Sequence, residues 1–331
     1  MKNKKIVIIP IFCEAHLIKY QIPNIIDTIN PDYIIYNEGM FPVGPESNSI
    51  IDKNFLDEYT LDGKGKRGFD YLELKQIIKD AQKLYPNTKI ILNKMDYKDS
   101  SASVNYVHAC SNFKELGIDI KKGDYIFPYE GDVFHHENSK EEIQEYLTQL
   151  KPNEGFRSRW IDFIENQYYA EKSTLKPFIW KEMHDTPSGW AEQGRSRKLC
   201  IRFGDMETYK SIILNFESQK YEMLYPTDLI TYHYAWWRPK KYKELRFKQL
   251  NRHPSYWHYF NIGLSKIPES KFVDIDIRPG MGPNSIESTF RYVRFFNIDH
   301  PKHIKNHPCY IKELTTSQIT DIKNNKLSYI Q

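Results

Sequence analysis

The sequence predicts an α/β fold: a mostly parallel central sheet flanked by helices, followed by a mixed and helical C-terminal extension. Three observations predict it. Short runs of β-branched and aromatic residues recur through residues 1–150. Between them lie stretches with apolar residues at helical spacing, and that alternation is the signature of an α/β sheet. Beyond residue 150 the alternation stops and aromatic-rich segments take over.

The first strand is "KIVIIPIF", a continuous apolar run of the kind buried on both faces. Residues 14–29 carry Leu17, Ile18, Ile22, Ile25, Ile26 and Ile29 at helical spacing, with Pro23 as a point where the helix kinks or restarts. "PDYIIYNEG" is a second strand. Strand, helix, strand implies a parallel pair with a right-handed crossover. Residues 40–68, rich in Gly, Pro and Ser, read as a long loop.

A helix follows over "FDYLELKQIIKDAQKLYP", then a third strand, "TKIILNKM", and a helix over 100–118 with Ser100 or Ser101 as its cap. "DYIFPYEGD" is the fourth strand. "SKEEIQEYLTQL" is an amphipathic helix, with Ser139 at its cap and Glu142 at the capping-box position. Later strands are expected at "FRSRWIDFI", "KPFIWKEM", "KLCIRFG" and "LITYHYAWW", and a basic helix near "PKKYKELRFKQLNR". Functional boundaries are expected at 1–150, 151–240 and 241–331.

The bulk properties exclude several classes. A net charge of +4, from 47 basic and 43 acidic residues, lacks the clustered basicity of a dedicated nucleic-acid binder. Cys13, Cys110, Cys200 and Cys309 are scattered and form no CxxC pair, which favours reduced thiols and a cytoplasmic location over a disulfide framework. The N-terminal apolar run ends at Glu14 without a small-residue cleavage site, so it reads as a strand and not as a signal peptide. No apolar run reaches the ~20 residues of a membrane span.

In open α/β sheets ligands bind at the carboxyl ends of the strands. Those ends here are Phe12–Glu14, Asn37–Gly39, Asn93–Asp96 and Glu130–Asp132. Two carboxylates flanking Gly131 after a strand can direct oxygens toward one point, as Mg²⁺ and Mn²⁺ require. The alternative is a strand that simply ends in an acidic turn. His135 and His136 follow; they read equally as ligands and as exposed loop histidines, and neither is assigned.

These motifs resemble the GT-A fold of nucleotide-sugar glycosyltransferases, in particular the family 17-like and family 2-like group. "DYIIYNEGMFPVG" is similar to their second-strand pattern, and "GDYIFPYEGDVF" to the fourth strand that ends in a DxD metal motif. A helix carrying Asn105 and the tail "FNIDHPKHIKNHPCYI" fit the same order. Glu130 stands where the first Asp of the motif is usual, and no acidic residue follows Asp132 directly.

The resemblance implies transfer of a sugar from a nucleoside diphosphate donor to a glycan or other hydroxyl acceptor, with inversion and with Mn²⁺ or Mg²⁺. It implies Glu130, Asp132 and a downstream histidine, His233, as metal ligands; the other reading of His233 is a core histidine. It implies donor contacts from Phe12, Glu14, Glu38, Asn105 and Arg238, the last followed by Lys240 and Lys241. The acceptor's general base is expected in "WKEMHDTPSGWAEQGRSRK", at Asp185 or Glu192, with Glu182 also in the window. Two other classes compete: a nucleotidyltransferase on a similar sheet, against which "PIFCEAHL" lacks a Gly-rich basic loop, and a non-enzymatic carbohydrate- or nucleic-acid-binding protein using the aromatics of 156–260. No nucleic-acid partner is expected. GxxxxGK[ST] and HExxH are absent.

Overall fold

A computed structural model describes residues 2–11, 14–38, 69–94, 102–163, 169–171, 195–214, 224–234, 237, 239, 242, 293–295, 298–310 and 312. The chain divides into two compact units, residues 1–158 with 197–229, and residues 159–196 with 230–331. The division falls within two strands, β6 (Gly155–Asp162) and β9 (Leu224–His233).

The first unit is mixed α/β, a central sheet flanked by helices. It opens with β1 (Lys5–Ile11), α1 (Ala15–Thr28), β2 (Tyr33–Glu38), α2 (Phe69–Leu84) and β3 (Lys89–Lys94). Next come α3 (Ala102–Ser111), β4 (Tyr125–Pro128), β5 (Val133–His135) and α4 (Ser139–Gln149). After β6 the unit resumes with β8 (Arg195–Arg202) and α5 (Met206–Leu214). The sheet order is β3-β2-β1-β4-β8-β6-β9-β5. β1 pairs in parallel with both β2 and β4, β2 pairs in parallel with β3, and β4 pairs antiparallel with β8.

Alternate residues of a strand face opposite sides. Ile6 and Ile8 of β1, Ile35 of β2 and Ile126 of β4 face one layer, where Tyr106 and Phe113 from the α3 side meet Ile212 and Ile213 of α5. Val7, Ile9, Ile34 and Phe127 are equally buried on the alternate positions. Burial on both faces explains why β1 reads as an unbroken apolar run.

Several expectations need correcting in detail. Helix α1 runs through Pro23 without a break. The fourth strand stops at Pro128, and the chain turns over Tyr129–Asp132 before β5. Ser139 is the first residue of α4 and not its cap. Asn138 holds the cap position without a side-chain bond; just before the helix the His136 carbonyl accepts from Ser139 N–H (3.0 Å) and the His136 Nδ1 from Asn138 N–H (3.2 Å). Helix α5 was not expected. Asp205 caps it, accepting from the Thr208 N–H at 2.8 Å and the Thr208 hydroxyl at 2.9 Å. The strand expected at "KPFIWKEM" and nearly all of the expected basic helix lie outside the described residues.

The second unit holds β7 (Tyr169–Glu171), antiparallel to β10 (Val293–Phe295), and a 3₁₀ turn at Ile304–Asn306. Its aromatic core packs Phe163 between Tyr232, Tyr234 and His300. Tyr234 Oη lies 2.6 Å from His300 Nδ1. Among the described residues no helix is long and apolar enough to cross a membrane.

Candidate metal site

The four parallel strands send their carboxyl ends to one side of the sheet. After β1 the chain leaves toward β2 and β3; after β3 it returns to the other flank of β1 as β4. The crevice rule for open sheets places ligands at this reversal, between the ends of β1 and β4. Glu14 follows β1 there, and Glu130, Gly131 and Asp132 follow β4.

Glu14 and Asp132 are buried and Glu130 is half-buried. Gly131 has a steric reason to be glycine: a Cβ at this position would lie 2.0 Å from Glu14 Oε2 and 2.8 Å from Ile11 Cγ2. Glu130 and Asp132 each offer one ligand atom, and the two atoms lie within 4.8 Å of one another; His233 is the last residue of β9. Oxygen ligands held at about 2.1 Å by a small divalent ion stand at most about 4.2 Å apart, so small side-chain rotations would close this pair on an ion. Two carboxylates suit Mg²⁺ or Mn²⁺ better than a thiolate-seeking metal.

His233 is half-buried, with its ring centroid 4.3 Å from that of Trp160, and its carbonyl accepts the Phe163 N–H at 2.9 Å. Glu38, the last residue of β2, is fully buried; it is in register with Ile11 of β1 and Lys94 of β3. Asn105 lies on α3, while its side chain is outside the described residues, as are Phe12, Arg238, Lys240, Lys241, Glu182, Asp185 and Glu192. Of the two histidines left unassigned, His135 is buried on β5 with its ring 5.4 Å from that of Tyr129. His136 Nδ1 lies 3.8 Å from Glu137 Oε2.

The sequence reading missed Asp70. It sits in the first turn of α2, is buried, and accepts the Ala15 N–H at 3.1 Å, so it closes the N-terminus of α1 from another helix. Burial raises its pKa to about 7; the Ala15 hydrogen bond opposes the rise, and the charges of Glu38, Glu14 and Glu73 add to it. A carboxylate in the first turn of a helix usually reads as a dipole partner at the surface, which hid this role.

No protein-family model matches the sequence, and no curated protein sequence matches it. Among solved structures, the chain is similar to a mannosyltransferase from Pyrobaculum calidifontis, solved in complex with GDP-Man and Mn²⁺. The identity is 10% and the TM-score 0.35, over 75% of this chain and 61% of that one. It is similar also to residues 1–349 of S. aureus TarS, at 8% identity and a TM-score of 0.32, over 81% of this chain and 76% of that one. The chain thus spans less than two thirds of the mannosyltransferase, and at these scores the likeness carries no argument about activity.

Proposed function

We propose that the chain is a metal-dependent glycosyltransferase that moves a sugar from a nucleoside diphosphate donor to a hydroxyl acceptor with inversion. The observation that carries the reading is the convergence of the Glu130 and Asp132 carboxylates to within 4.8 Å of one another just beyond the carboxyl end of β4; His233 is assigned as a third ligand. A divalent ion held there would act as a Lewis acid toward the leaving diphosphate, the charge that glycosyl transfer must neutralise.

The protein's own residues divide the remaining work. Glu14 and Glu38, at the ends of β1 and β2, border the nucleoside, together with Phe12 and Asn105; Arg238 meets the diphosphate. Asp185 or Glu192 takes the proton from the acceptor hydroxyl as general base. Residues 1–150 bind the donor, 151–240 supply the acceptor side and 241–331 form the extension. Buried, unbridged Cys110 and Cys200 fit a cytoplasmic setting.

The test is a thermal-shift screen of UDP, GDP, CDP and dTDP with and without Mn²⁺. A ligand that binds only the folded state raises the melting temperature, by mass action. At least one diphosphate is expected to do so only when Mn²⁺ is present. No Mn²⁺-dependent shift with any of the four would overturn the reading.

A further inference from the structure

Helix α1 buries polar side chains where a helix packed on a sheet ordinarily presents apolar ones. Gln21, Asn24 and Thr28 are all fully buried. Burying an amide is costly unless its hydrogen bonds are replaced, and here they are. Gln21 Nε2 donates to the Glu130 carbonyl at 2.6 Å and to the Val133 carbonyl at 3.0 Å. One amide group therefore holds both ends of the four-residue turn that contains Glu130, Gly131 and Asp132. Gln21 Oε1 in turn accepts the Tyr36 hydroxyl at 3.4 Å.

One helical turn further on, Asn24 donates to the His135 carbonyl at 2.7 Å and accepts the His135 N–H at 3.0 Å. On the N-terminal side of the turn, Tyr106 of α3 donates to the Tyr129 carbonyl at 2.6 Å. The backbone on both sides of the acidic pair is thus tied to side chains, while the direct bond across the turn, Val133 N–H to the Glu130 carbonyl, is long at 3.4 Å. The turn keeps its shape through Gln21 more than through its own backbone.

We propose that Gln21 is the positioning residue of the metal site: it touches no ion, and it sets the separation and direction of the Glu130 and Asp132 carboxylates through their backbone. The proposal rests on the metal reading of that turn. Groups that orient metal ligands typically cost about 10–100-fold in metal affinity when removed.

The experiment measures Mn²⁺ affinity of the full chain, with the metal alone, by following free Mn²⁺ in a spin-resonance titration below the melting temperature. Gln21→Met keeps the length of the side chain and removes the amide. Ile25→Val, in the core of the same helix, supplies a variant of lowered stability that leaves the turn untouched. Gln21→Met is expected to lose about 10–100-fold in Mn²⁺ affinity, and Ile25→Val to bind as wild type does. Gln21→Asn, whose amide is too short to span both carbonyls, carries the same expectation if Gln21→Met does not fold. Wild-type affinity in the Gln21 variants would overturn the positioning role alone. Failure of the wild type to bind Mn²⁺, or undiminished binding by Asp132→Asn, would instead overturn the metal reading, and the positioning role with it.

Discussion

Gly131 and Glu14 occupy adjoining space: the Glu14 carboxylate fills the place where a side chain at 131 would begin. The ends of β1 and β4 are therefore packed against each other through an absent methyl group. Gly131→Ala forces Glu14 aside and presses on Ile11. Overpacking of this kind costs about 1–3 kcal/mol. Urea denaturation of Gly131→Ala, Glu14→Ala and the double variant is expected to show strong non-additivity, the double variant being more stable than the sum of the singles predicts. Additive effects would show that the two residues do not share that space in solution.

His233→Ala separates two roles, the proposed metal ligand and a packing residue. A ligand predicts Mn²⁺ affinity lowered by at least about 10-fold, the lower end of what merely supporting residues cost. The metal-free melting temperature should change little. Protons compete with metal for an imidazole, so the fall in wild-type Mn²⁺ affinity toward acid pH should flatten in the variant without vanishing, because Glu130 and Asp132 remain. A packing histidine, set against Trp160, predicts the reverse: a lower metal-free melting temperature and normal affinity. Calorimetry and thermal melting of one preparation decide between them.

The buried carboxyl of Asp70 gives a signed pH dependence. Its pKa in the folded chain is about 7, above the ordinary 3.8, so the folded state holds this proton more tightly than the unfolded state does. Its contribution is fully present below about pH 4 and is lost as the pH rises through 7, a change on the order of 1–4 kcal/mol. Asp70→Asn keeps an oxygen for the Ala15 N–H and removes the charge. The variant is expected to lose this decline between pH 4 and 7 and to exceed wild-type stability at pH 8. Equal pH profiles in chemical denaturation would refute the assignment.

The parallel layer was legible because its strands are buried on both faces, and a doubly buried strand has to be apolar throughout. Glu130 and Asp132 were legible because they break such a run abruptly. Gln21 and Asn24 were not. Polar residues between Ile18, Ile22 and Ile25 look like the solvent side of an amphipathic helix, and only the docked β4–β5 turn shows that they face inward. Helix α5 was hidden by its shortness, although Asp205 and Thr208 stand at capping distance in the sequence. The expected length of the fourth strand failed because Tyr129 continues the apolar run and its N–H still bonds the Ile8 carbonyl of β1, while its own carbonyl accepts the Tyr106 hydroxyl.

The central place of β1 shapes how the chain emerges from a ribosome. One edge of β1 is completed by β2, which follows almost at once. The other waits for β4, beginning with the Lys4 N–H bonded to the Asp124 carboxylate 120 residues away. At ordinary synthesis rates that interval is roughly 6–24 s. Throughout it an isoleucine-rich strand has one unpaired margin, and Gln21 and Asn24 have only water to bond. During those seconds the hydrated amides of α1 dilute an otherwise apolar surface, and the nascent layer is least able to resist pairing with a neighbouring chain.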